Sequence, residues 1–150
     1  MKLATALTER AELQRRIAEL EKRLNNNAKI QEGEAPAEDP AQLLQELDAA
    51  LLRLEDLIGR INLTNSVTRS GEKTMTELLA RRDALKLRLS VMRSFLDNAS
   101  SKVDRYSRTE IKIVSSVKVS ELQKDVDRLS KSLRKLEEEI QTLNWTTDLS

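Results

Sequence analysis

The stretch LQKDVDRLSKSLRKLEEEIQTL, residues 122–143, decides the fold. Its apolar residues (Leu122, Val126, Leu129, Leu133, Leu136, Ile140, Leu143) stand alternately four and three apart, with charged and polar residues between them. That spacing averages half a heptad and sets the apolar side chains along one stripe of an α-helix, able to lie against a neighbouring helix. The same spacing recurs in Leu44, Leu47, Leu51, Leu54, Ile58 and Ile61. It recurs again in Leu3, Ala6, Leu13, Ile17, Leu20 and Leu24, with Arg10 and Asn27 in the remaining seam positions. A further seam runs Leu78, Leu85, Leu89, Met92, Leu96, Ala99, Val103. The reading is an all-α chain: an elongated, antiparallel, coiled-coil-like four-helix bundle with helices near 2–27, 41–62, 75–103 and 121–144.

Breaks between these stretches define a single domain, 1–150, with a linker over 28–40, a loop over 63–73 and a loop plus strand over 104–120. Gly33, Pro36 and Pro40 interrupt the linker, and Asp39 before Pro40 is an N-cap and first-turn pair for the second helix. Leu43, Ala50 and Leu57 widen that helix's stripe beyond a two-helix contact. Antiparallel packing of the first two helices would bring Asn25–Asn27 near Asp39. Thr74 with Glu77, and Ser120 with Gln123, are capping boxes for the last two helices. Between those helices the pattern switches to period two: Ile111, Ile113, Val117 and Val119 share one face, which predicts one short β segment at about 110–119 before the last helix. A turn-rich stretch at 66–74 can form a short hairpin around Ser70-Gly71.

Composition excludes several classes of chemistry. The 150 residues include neither cysteine nor histidine, so disulfides, thiol catalysis and the commonest general base and metal ligand are missing. Neither a catalytic constellation nor a cofactor or metal motif is legible; the acids Glu32, Glu34, Glu38 and Asp39 lack the spacing of a calcium loop. The 26 basic and 25 acidic residues nearly cancel, which gives no general attraction to nucleic acid or a membrane. With neither a signal peptide nor a spanning segment, the expected location is cytoplasmic.

Two features point to binding. The cluster Asp104-Arg105-Tyr106-Ser107-Arg108 is the densest polar group outside the helix faces, and Arg105, Tyr106 and Arg108 could hold a small anionic ligand through guanidinium and hydroxyl donors. Capping and pairing with nearby acids is the plainer use of those residues. A second basic run, Arg81, Arg82, Lys86, Arg88 and Arg93, lies on the third helix with only Asp83 against it. One tyrosine is too little for nucleic-acid stacking, and a salt-bridged helix face explains the run better. The third helix also carries a second apolar stripe (Ala80, Ala84, Leu87, Val91, Phe95) opposite its seam. Leu87, Val91 and Phe95, with Ile111, Ile113, Val117 and Val119, are therefore candidate oligomer contacts.

Several short motifs together resemble a family of bacterial helical proteins, some of whose members carry the label septicolysin. These are Gln31-Glu32-Gly33-Glu34, Glu38-Asp39-Pro40, Ile61-Asn62 with Thr64-Asn65, the stretch around Tyr106, Glu110-Ile111-Lys112, Leu122-Gln123-Lys124 and Asn144-Trp145-Thr146. The resemblance implies a helical fold and no known activity, while the label would imply a pore-forming cytolysin. From the residues alone the expected function is a non-enzymatic, self-associating helical-bundle protein, a homo-oligomer. The alternative is a binding protein for an anionic ligand or nucleic acid through Arg105, Tyr106 and Arg108.

Overall fold

The structure, a computed structural model, describes residues 1–101 and 111–150. It is all-α: α1 (Leu3–Asn26), α2 (Pro40–Val67), α3 (Met75–Ser100) and α4 (Val119–Thr146), with a hairpin of β1 (Arg69–Ser70) and β2 (Lys73–Thr74) before α3. Two compact units divide the chain: residues 1–75 with 141–150, and residues 76–140.

In the first unit α1 and α2 pack antiparallel. The α1 seam is the expected one, with Leu3, Ala6 and Leu20 buried. The α2 seam is not. Leu43, Ala50, Leu57, Ile61 and Thr64 are buried, with Leu47 and Leu54 half-buried, whereas Leu44, Leu51 and Ile58 are exposed. The true stripe is therefore rotated by about 80–100° around the helix from the expected Leu44–Leu51–Ile58 row. Apolarity alone does not separate the two rows; the flanking charges do. Glu9 is held by Arg53 (Nε to Oε1 2.6 Å), Arg16 meets Glu46 at 3.6 Å, and Arg23 is bidentate on Glu38. On α1 these residues are one heptad apart, and they line up only if Leu43 and Leu57 face inward.

Asp39 caps α2 by accepting from the Ala41 N–H at 3.0 Å, and Asn27 accepts from the Glu38 N–H at 3.0 Å, as antiparallel packing predicts. The first part of the loop expected over 63–73 is helix, through Val67, and the rest is a hairpin. α2 runs on to Val67 because Thr64 sits buried in the seam, its hydroxyl donating to the Arg60 carbonyl at 2.8 Å. The hairpin around Ser70-Gly71 is present, closed by a two-residue loop in which Gly71 has φ +60°. A side chain at that first loop position would be strained, so the glycine makes the tight turn.

The β segment expected at 110–119 is not a strand over its described part, 111–118. Two features of the chain explain the difference. The Ser115 hydroxyl donates to the Val117 carbonyl (2.9 Å) and accepts from the Val117 N–H (3.4 Å), turning the backbone locally. α4 also begins at Val119, with Lys118 O accepting from Leu122 N at 3.1 Å, so the expected cap Ser120 lies within its first turn.

In the second unit α3 and α4 pack antiparallel around Leu89, Leu96 and Val126, with Met92, Val119, Leu122, Leu129 and Leu133 against them. Both expected seams hold over the described residues, outside which Val103 lies. The last turn of α4 belongs to the first unit, where the segment after it is tied to the start of α1. Leu3 N donates to Thr147 O (2.9 Å), Leu149 N to Met1 O (2.8 Å), and Lys2 pairs with Asp148 at 2.9 Å. Ser150 N donates to the Thr64 hydroxyl at 2.9 Å, and Arg60 donates to Ser150 O at 2.7 Å. α1, which has no side-chain cap of its own, thus has a first N–H satisfied by the chain's last residues.

Candidate interaction surface

The second apolar stripe of α3 lies open. Leu87 is 71% exposed, Val91 69% and Phe95 46%, and the 111–114 segment adds Ile111, Ile113 and Val114, all exposed. Phe95, Ile113 and Val114 converge with Asn98, Ala99 and Ser115 on a shallow cleft of about 280 Å³. Two expected members of this surface differ. Val119 packs into the Leu89–Leu96–Val126 core, because it opens the α4 seam, and Val117 is half-buried. Arg105, Tyr106 and Arg108 lie outside the described residues.

The basic run on α3 is sorted by the packing. Arg82 pairs with Asp83 at 3.1 Å, Lys86 reaches Glu137 on α4 at 3.2 Å, and Arg93 donates to the Ser130 hydroxyl at 2.9 Å. The last two contacts, one heptad apart, close one flank of the α3/α4 seam. The opposite flank is a groove formed by adjoining depressions of about 240 and 310 Å³ that share Arg81, Leu85 and Ser132. Arg88 lines one and Lys135 the other, with Leu129 and Leu136 at the floor and Glu139 at one end. Among the described residues, Arg81, Arg88 and Lys135 form no ion pair. Sequence reading grouped the arginines by proximity in the chain and missed Lys135; their positions beside the heptad seam were the available signal.

The pKa shifts belong to the first unit. Hydrogen bonds from Arg53, Arg23 and Lys2 hold the carboxyls of Glu9, Glu38 and Asp148 below their ordinary range, and the same bonds raise Arg23 and Arg53. These ladders are structural; none faces a cleft suited to proton transfer. No set of three metal-ligating side chains converges among the described residues, and none of their helices is long and apolar enough to cross a membrane.

What the fold presents is a helical protein with finished seams and open apolar and basic faces. Residues 10–149 match the family of unknown function DUF6847, and the chain belongs to that family. It is also similar to a solved structure described as a functionally unknown conserved protein from Corynebacterium diphtheriae, at 44% identity and a TM-score of 0.91. That match covers 100% of this chain and 99% of the other. No curated protein matches. The septicolysin label appears in neither comparison.

Proposed function

We propose that the protein is a non-enzymatic helical protein that works by self-association, using the outer face of α3 with the 111–114 segment as its contact. The observation that carries this reading is the open row Leu87, Val91, Phe95, continued by Ile113 and Val114 around one cleft. Large apolar side chains gathered on one exposed face mark an interaction site in soluble proteins. A helix face packed against its own copy across a two-fold axis buries the same patch on both partners. A chain without histidine or cysteine has no ready nucleophile–base pair, which favours interaction over catalysis.

Sedimentation velocity at tens of micromolar tests the reading. The unmodified protein should sediment as an oligomer, and Leu87→Arg with Val91→Arg should sediment as a monomer with an unchanged helical circular dichroism spectrum. A monomeric unmodified protein overturns the reading, as does a double variant that stays associated.

A further inference from the structure

We infer that the groove between α3 and α4 receives α2 of a second copy, through the exposed face carrying Leu44, Asp48, Leu51, Glu55 and Ile58. This deepens the self-association reading and rests on it.

The groove is an unfinished edge. Its apolar floor leaves Leu85 and Leu129 half-buried beside the buried Leu136, which is what a third helix would complete. Its banks carry Arg81, Arg88 and Lys135 without an ion pair among the described residues, with Glu139 at one end. A basic rim over an apolar floor selects an acidic amphipathic helix. α2 offers one. Leu44, Leu51 and Ile58 repeat at seven residues and are exposed, and Asp48 and Glu55, also seven apart, stand beside that row with no ion pair among the described residues. Arg81 and Arg88 have the same seven-residue interval, about 10.5 Å along a helix axis. Two carboxylates can therefore meet two guanidiniums in one register while the leucines cover the floor. α1 fits less well: its exposed apolar residues are mainly alanines, and its exposed face carries Arg15 and Lys22 alongside Glu12 and Glu19. The groove borders the open row of α3, so the two contacts form one continuous surface.

Charge-swap complementation tests this. One variant carries Arg81→Glu and Arg88→Glu; the other carries Asp48→Lys and Glu55→Lys. Each alone should sediment as a monomer at concentrations where the unmodified protein is an oligomer. An equimolar mixture should regain association, because each groove then meets an α2 of opposite charge. Association of the unmodified protein should also weaken at least tenfold between 0.05 and about 0.5 M salt, as screening requires. Variants that stay associated alone, or a mixture that stays monomeric while each variant keeps its helical spectrum, overturn the inference. If the unmodified oligomer is abolished by Leu87→Arg with Val91→Arg but unaffected by both charge variants, self-association stands and the α2 assignment fails. A monomeric unmodified protein defeats both.

Discussion

The two helix pairs use the same seven-residue seam and finish its edges differently. In α1/α2 a flank is closed by opposite charges at every heptad: Glu9 with Arg53, Arg16 with Glu46, Arg23 with Glu38. In α3/α4 one flank is closed by Lys86 with Glu137 and Arg93 with Ser130, while the other presents Arg81, Arg88 and Lys135 over half-buried and buried leucines. The leucines decide that helices pair; the flanking charges decide which edges are complete. Exposed ion pairs contribute little energy each, yet a run of them fixes register and partner.

The largest expected effect breaks the seam itself. Leu57 is fully buried, so Leu57→Ala should cost about 2–5 kcal/mol through lost burial and a residual cavity. Leu89→Ala, 1% exposed in the second unit, should cost a similar amount. Leu51→Ala removes a side chain that is 44% exposed and should cost about 1 kcal/mol or less. Urea titration of the three variants checks the order. Equal losses at Leu51 and Leu57 would restore the seam read from sequence and undo the register derived from the ion pairs.

That contrast shows how much of the molecule was legible. Helix number, the seams of α1, α3 and α4, the Asp39 cap and the Ser70-Gly71 hairpin follow from spacing and turn chemistry. The α2 stripe does not, because Leu43, Ala50 and Leu57 compete with Leu44, Leu51 and Ile58 at identical spacing, and only tertiary charge partners choose between them. The alternation at Ile111, Ile113, Val117 and Val119 imitates a strand, but the Ser115 hydroxyl turns the chain and Val119 is claimed by a helix seam. Of the candidate surface, the outer row of α3 was readable as a second stripe. The groove was not, since it is made by two helices distant in sequence.

A smaller effect should separate the units by acid. The carboxyls of Glu9, Glu38 and Asp148 are all depressed, from ordinary values of 4.5, 4.5 and 3.8, by hydrogen bonds from arginine or lysine. For a depressed carboxyl, the stability it contributes is present above its unfolded pKa and lost as pH falls through the folded one. The α1/α2 ladder should therefore weaken progressively below about pH 4.5, and the Lys2–Asp148 tie below about pH 3.8. Emission from Trp145, the only tryptophan and a neighbour of that tie, should shift in an acid titration, and Asp148→Asn should remove the tie's share of the shift. An acid response unchanged in Asp148→Asn would mean the tie is not what titrates.

The smallest effect is one of sign. Arg53 holds two carboxylates, Glu9 at 2.6 Å and Asp56 at 2.9 Å, so Arg53→Gln should lower the thermal midpoint by breaking a ladder contact between helices. Arg88 has no such partner among the described residues and shares its groove with Arg81 and Lys135. Removing its charge relieves like-charge repulsion, so Arg88→Gln should leave the midpoint unchanged or raise it slightly, within about 0.5 kcal/mol. The comparison is made on monomeric protein, at concentrations low enough that no second copy contributes. High salt should shrink both differences, because both arise from exposed charges. If Arg88→Gln destabilises the monomer as much as Arg53→Gln does, Arg88 already has a structural partner. Its flank would then be a finished edge like that of α1/α2, with nothing left to recruit.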